Sequence, residues 1–241
     1  MKCILAILLS LLSYNVHADR GVDSVRYVYA KRAQQNLALV PLVNYLKIGA
    51  VNNQKIVETF FYWIALNIKY DKEIMLKQDR TNQDVSVDVI LTKKKTICAG
   101  YSNLLYEMCT LAKVECAVIN GFTQTMWDGN IGVSHAWNAV KLNSKWYLVD
   151  ATWGSGGYGF GSDDDEYIEK LDMRYFLAEP NFLIIDHFPN EAEWQLLPKA
   201  ISLIEFHNEY WDEMRFRKSN DLLDDAWYKE YKKREREATQ H

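Results

Sequence analysis

The 241-residue chain has no Cys-x-x-Cys pair, no Gly-Lys-Ser/Thr phosphate loop and no acidic run with calcium-loop spacing. These absences argue against a structural zinc site, a nucleotide-binding P-loop and an EF-hand. The net charge of −4 leaves no basic excess, so nothing electrostatic favours nucleic acid as a partner. Beyond the first dozen residues no apolar run approaches the roughly 20 residues that span a bilayer, and no stable membrane insertion is expected. There is no internal repeat and no low-complexity linker. The length suffices for one domain with a substantial core.

The N-terminus has the order of a secretory signal: Lys2, then the apolar run from Ile4 to Leu12, then small and polar residues ending at Ala18. Cleavage is expected after Ala18, giving a secreted or periplasmic protein. Residues 1–18 then form the signal peptide, 19–198 the catalytic domain and 199–241 a helical extension. Cys3 leaves with the signal, so three cysteines remain in a compartment that favours disulfides. At least one is therefore free or paired between molecules. Cys98 and Cys109 are about 16 Å apart along a helix, too far to bond. Cys109 and Cys116 could meet across the helix end, but their apolar setting suits inert core thiols.

Cys98 itself opens a helical pattern. Thr96 is a candidate N-cap, and Leu104, Leu105, Met108 and Leu111 form an apolar face. A thiol at a helix N-terminus feels the positive end of the macrodipole and ionises more readily. Ala99 and Gly100 beside it would let a substrate backbone come close. Upstream, residues 22–47 are loosely helical with a break at Pro41. Asn52 caps a strong helix over 55–69, and a polar loop runs from Asp71 to Asp88. A short element over 87–91 leads to Lys93-Lys94-Lys95, a solvated turn or an anion site.

Downstream the period changes to two. Strands are expected over 114–122, 134–142 and 145–153, the last two joined by Asn143-Ser144 as a hairpin. Leu142 then faces Lys145, and continuing the ladder sets Trp137 opposite Asp150 and His135 opposite Thr152. All four side chains share one face, with His135 and Asp150 diagonal neighbours roughly 5.5–7.5 Å apart at Cβ. Cys98, His135 and Asp150 are therefore the candidate catalytic residues: nucleophile, proton shuttle and orienting carboxylate. The Cys98 N–H is a candidate oxyanion donor. Trp137 and Trp153 serve the core, with Trp137 placed to shield the ion pair. The glycines from 154 to 161 and acids from 163 to 166 read as a surface loop or a lid. Short strands are expected over 174–178 and 182–185, with helix from about Pro198.

These residues resemble a known family. Thr96-Ile97-Cys98-Ala99-Gly100-Tyr101, Ser134-His135-Ala136-Trp137-Asn138 and Leu148-Val149-Asp150-Ala151-Thr152-Trp153 look like the three catalytic motifs of the transglutaminase-like superfamily. Its kyphoscoliosis-peptidase branch is the most similar, through the run from Phe61 to Asp71, Tyr175-Phe176-Leu177, His187-Phe188-Pro189 and Trp194-Gln195-Leu196-Leu197. The resemblance spans about Pro41 to Leu197. It implies a papain-like α+β fold, with N-terminal helices and a Cys-bearing helix packed on an antiparallel sheet that carries His and Asp. It implies no metal or organic cofactor, and a protein or peptide as substrate.

The expected function is acyl transfer through a thioester, hydrolysing peptide or isopeptide bonds. Cross-linking by an amine that intercepts the thioester is the alternative. From a different class, a catalytically idle binding module would keep the fold alone. Oligomeric state is not legible.

Overall fold

The computed structural model describes residues 22–207, apart from 35, 76, 78–82, 125–132 and 159–166, together with 214, 215 and 218. The signal-like stretch 1–18 and most of the charged tail lie outside the described residues.

Two N-terminal helices, α1 (Ser24–Arg32) and α2 (Leu39–Leu46), replace the single interrupted one. The break precedes Pro41, which sits in the first turn of α2, where its missing N–H costs no hydrogen bond. α1 is capped by Asp23, whose side chain accepts from Val25 and Arg26 N–H. It docks by burying Arg26, whose Nε donates to Thr59 Oγ1 at 2.6 Å. α3 (Asn53–Asn67) starts at the expected Asn52 cap, which accepts from Lys55 N–H. Every residue from Val57 to Ala65 is buried, so α3 is the central helix of the core and not a one-faced surface helix.

After α3 the chain makes β1 (Lys69–Tyr70), a short α4 (Lys72–Met75), α5 (Val87–Lys93) and β2 (Lys95–Thr96), with β1 and β2 paired in parallel. The three lysines have separate fates. Lys94 is left-handed at the end of α5 with its ammonium 4.9 Å from the Trp63 ring, while Lys95 pairs with Asp71 and Glu73.

α6 (Cys98–Ala112) begins at Cys98 as expected, but its cap is Ile97, without a side-chain hydrogen bond. Thr96 belongs to β2. Gly100 is not an opening for substrate either: a Cβ there would lie 1.9 Å from Thr96 Oγ1, so the glycine lets β2 fold back against the first turn. Leu104, Leu105 and Met108 are buried, whereas Leu111 is exposed and Tyr101 takes its place in the core.

The main sheet has the order β5-β4-β3-β8 and is antiparallel throughout. It comprises β3 (Cys116–Thr123), β4 (Val133–Leu142), β5 (Lys145–Val149) and, later in the chain, β8 (His187–Pro189). α6 packs on β3 and β4. The hairpin register holds from Leu142 opposite Lys145 to Asn138 opposite Val149. There the ladder stops. Trp137 does not pair with Asp150 nor His135 with Thr152, because the chain turns at Asp150 into a 3-10 turn (Trp153–Ser155). β6 (Gly156–Tyr158) and β7 (Tyr167–Glu169) then form a small hairpin around residues outside the described set.

The two short strands expected over 174–178 and 182–185 are absent among the described residues. The chain instead makes a 3-10 turn at Met173–Tyr175, one bridge from Ala178 to Leu148, and α7 (Pro180–Leu183) with Pro180 at its first position. A proline there favours a helix start over a strand. α8 (Leu203–Phe206) carries a capping box between Ser202 and Glu205. Past it, Met214, Arg215 and Lys218 are buried against the domain, so the extension is not a detached tail at these positions.

A Cβ on Gly121 would meet the Phe188 carbonyl at 2.2 Å, whereas one on Gly157 would meet nothing within 4 Å. Backbone cannot yield as a side chain does. Gly121→Ala is expected to cost about 1–3 kcal/mol by overpacking, and Gly157→Ala less than about 0.5 kcal/mol, read from denaturant midpoints.

Candidate active site

Three separate elements bring Cys98, His135 and Asp150 together. Cys98 is the first residue of α6, His135 lies in β4, and Asp150 follows the last residue of β5. The helix start is fixed to the sheet by Asn138, whose Nδ2 donates to the Ser102 carbonyl at 3.0 Å. Tyr101 ties the same turn to the end of α3, its hydroxyl donating to the Ile68 carbonyl at 2.7 Å.

His135 Nε2 lies 2.8 Å from Asp150 Oδ2, with both side chains buried. That contact leaves Nδ1 for the thiol, and the imidazole is close enough to Cys98 to favour its thiolate. The Ala136 main-chain N–H adds to the pull toward the thiolate. The sequence-based geometry is thus right in outcome and wrong in detail. His135 and Asp150 meet without being ladder neighbours, because Asp150 begins a turn that swings its carboxylate under the imidazole.

Asp150 is unusually well supplied with donors. Its Oδ1 accepts from the Thr152 N–H at 2.8 Å and the Trp153 N–H at 3.1 Å. Its Oδ2 accepts from His135 and also from His187 Nε2 at 3.0 Å. Burial alone would raise this carboxylate's pKa, but the His135 charge and the hydrogen bonds from both histidines hold it well below the ordinary range. Burial likewise disfavours a charged His135, yet Asp150 and then Cys98 push it up to about 10. Cys98 follows the same logic. Burial opposes its ionisation, the hydrogen bond and charge of His135 outweigh that, and the thiol titrates below its usual value. A thiolate–imidazolium pair is favoured between those two limits.

The remaining thiols differ. Cys109 and Cys116 are free, and the Cys109 thiol, hydrogen-bonded to Cys116 and buried, is held well above the normal thiol range. Cys109 is therefore a buried core thiol as the sequence suggests, whereas Cys116 is only half-buried.

Indole rings enclose the imidazole. Trp137 stacks on His135 at 5.8 Å between centroids, tilted by 22°, and Trp153 lies at 6.1 Å. Trp137 therefore does face the charged pair, as the shielding role requires.

His187 is the residue that sequence reasoning missed. It stood only as part of a family-like motif, with no spacing that linked it to Asp150. One ring nitrogen of each histidine and an Asp150 oxygen lie within 4.8 Å of one another, the nearest approach to a metal-ligand set among the described residues. Ligand atoms around a tetrahedral zinc stand roughly 3.3 Å apart. The contacts of 2.8 and 3.0 Å are shorter and match direct hydrogen bonds, so the donor set fits a hydrogen-bonded cluster better than an ion.

Comparison with known proteins agrees with this architecture. Residues 42–151 match the transglutaminase-like superfamily. Human kyphoscoliosis peptidase is 34% identical over 194 residues, covering 78% of this chain and 29% of that protein. The mouse protein of the same name is 36% identical over 180 residues, covering 73% and 27%. The Lim and transglutaminase domain protein ltd-1 of Caenorhabditis elegans is 26% identical over 179 residues, covering 68% and 24%. The chain spans less than a third of the length of these curated relatives. A mixed fold of helices on an antiparallel sheet and a likeness to the kyphoscoliosis peptidases over most of the chain go together: across residues 42–151, which hold Cys98, His135 and Asp150, the chain belongs to the transglutaminase-like superfamily.

Proposed function

We propose that this protein is a secreted cysteine acyl-transfer enzyme that hydrolyses peptide or isopeptide bonds in protein substrates, with Cys98 as nucleophile, His135 as proton shuttle and Asp150 as the orienting carboxylate. The observation that carries the proposal is one imidazole held at 2.8 Å from a buried carboxylate and in contact with a thiol at a helix start. The peptidase name of the human and mouse relatives supports the hydrolytic direction.

The chemistry follows from the charges. The Cys98 thiolate attacks the acyl carbon, and its sulfur bonds there as the carbonyl electrons move to oxygen. The cap residue Ile97 offers no side-chain acceptor to the first turn, which leaves the Cys98 N–H suited to receive that oxyanion. As the tetrahedral species collapses, the imidazolium gives its proton to the departing amine, leaving a thioester and neutral His135. Water then attacks, His135 takes its proton, and the carboxylic product leaves with the thiolate restored. Asp150 stays ionised throughout and stabilises the imidazolium at both of its appearances.

An amine acceptor in place of water would convert the same thioester into a cross-link, and the transglutaminase domain named for the nematode relative supports that second reading. Incubation with a glutamine-containing protein and a tagged primary amine separates the two. Hydrolysis predicts product without the tag, and tagged product in excess of cleaved product would overturn it.

The ionisation pattern gives a test that needs no substrate. Cys98 is expected to react with iodoacetamide at least about tenfold faster than Cys109 at mildly acidic pH. Its rate should fall on the acid side, where the thiolate is protonated. Cys98→Ala should remove this labelling and lower turnover by roughly 10⁴-fold or more. Equal labelling of Cys98 and Cys109, with function intact in Cys98→Ala, would favour the idle binding module. Secretion predicts a mature N-terminus at Asp19, and protein exported by its source organism with residue 1 or 2 as its first residue would refute it.

A further inference from the structure

The chain of contacts through the site does not end at Asp150. His187, the first residue of β8, places Nε2 at 3.0 Å from the same Asp150 Oδ2 that His135 uses. Its other nitrogen, Nδ1, lies 2.6 Å from Asp186 Oδ1. That Asp186 oxygen is in turn 2.8 Å from the ammonium of Lys218, which also donates to the Phe182 carbonyl at 2.9 Å. All of these side chains are buried. The rings of Trp153, His135, Trp137 and Tyr175 surround His187 at 4.6, 5.2, 5.3 and 6.3 Å. The charged or titratable groups facing it are therefore Asp150, Asp186, His135 and Tyr175, with Lys218 one step beyond.

Hydrogen-bond chemistry restricts what His187 can be. An ionised carboxylate only accepts, and a neutral imidazole has a single N–H. With a carboxylate oxygen at each ring nitrogen, both contacts are made only if the ring carries two protons or one acid keeps its own. Asp150 is not that acid, since its Oδ1 accepts from two main-chain N–H groups and the His135 charge beside Oδ2 keeps the carboxyl ionised. Asp186 is not either, because the oxygen facing His187 also accepts from an ammonium. A doubly protonated ring also balances the cluster. Thiolate, Asp150 and Asp186 supply three negative charges, and His135, His187 and Lys218 supply three positive ones. A buried group of charges is tolerable when it is paired in this way.

We propose that His187 is a positioning residue of the acyl-transfer centre: an imidazolium clamped between Asp150 and Asp186, balanced by Lys218 from the C-terminal segment, that holds the Asp150 carboxylate in the orientation His135 needs. The role rests on the acyl-transfer reading above, and it makes Lys218 part of the centre. His187 touches no reacting atom and acts through Asp150. Its positive charge also favours the Cys98 thiolate, because removing a nearby cation raises the pKa of a neighbouring acid.

The test combines ring protonation with thiol reactivity in the full chain. In protein carrying ¹⁵N-histidine, both ring nitrogens of His187 should resonate as N–H in the folded protein, as donors to Asp150 and Asp186. Iodoacetamide labelling of Cys98 should move its acid limb upward by about one pH unit in His187→Gln, about tenfold in rate on that side. Lys218→Met should move it the same way by less. A merely packing role would lower the melting temperature and leave the limb in place. A single N–H on His187 in the folded protein, or an unmoved limb in both folded variants, overturns the proposal. If His187→Gln does not fold, the wild-type resonances and Lys218→Met decide. Failure of the acyl-transfer reading looks different: wild-type Cys98 would label no faster than Cys109 while His187 still showed two N–H groups, and the positioning role would fall with that reading.

Discussion

Asp150 is where the constraints of this fold meet. A carboxylate has about four acceptor positions, and all four are used: two by main-chain N–H groups of the following turn and two by histidines from different strands. Its own N–H is fixed as well, donating to the Tyr175 carbonyl at 2.9 Å. The same residue thus follows the end of β5, caps the chain reversal that leads into the 3-10 turn, joins β4 to β8 and favours the charged form of the imidazole. Removing any one donor would leave a buried anion short of a partner, which costs more than the bond itself contributes. Such a residue is expensive to bury, and the surrounding chain is arranged to satisfy it.

Cys98 is held by a different means. No charged residue anchors it. Its place follows from the helix it opens, and that helix is fixed by packing and main-chain contacts: Tyr101 to the end of α3, Asn138 to the Ser102 carbonyl, and the close approach of Gly100 to Thr96. A helix start fixed in this way presents first-turn N–H groups and the positive end of the macrodipole toward His135. Burial opposes ionisation of the thiol, but the His135 imidazole outweighs it and holds the Cys98 pKa below the usual thiol value. Cys109, three turns on, has neither influence and stays protonated. Two thiols on one helix therefore differ in chemistry through position alone.

Much of this was legible in the sequence, for reasons that differ by residue. The hairpin register was readable because a two-residue turn fixes it, and Leu142 does pair with Lys145. The N-cap at Asn52 was readable because a side-chain cap is a local device. Thr96 misled because its hydroxyl suits a cap, while parallel pairing with Tyr70 places it in a strand. The strand expected to run on to Trp153 stopped at Asp150, since a carboxylate that caps its own following turn competes with the ladder. Residues 174–185 alternate like strands, yet Pro180 and the contacts around Tyr175 favour turns and a short helix. His187 was out of reach for a plainer reason. Its approach to Asp150 depends on β8 adding to β3 at Gly121 and Pro189, a pairing between distant segments that no local pattern announces.

The last question is why the cluster extends so far from the thiol. A triad of thiolate, imidazolium and aspartate carries one net negative charge, and in this fold it sits almost wholly out of water. Left so, the excess would act against the thiolate, the charge that the proposed acyl transfer requires. A second imidazolium offsets it at the oxygen where it is concentrated. That cation then needs its own partner, and a bare pair of His187 with Asp186 would return the excess one step outward. Lys218 closes the series at the boundary of the core, where its ammonium also lies 3.7 Å from the Phe182 ring and a carbonyl takes one of its protons. Such a chain adds little to stability that well-packed apolar residues would not supply. Its value lies in letting an ionised sulfur and its acid partner coexist in a dry site, and on that argument the buried lysine belongs to the chemistry as much as to the fold.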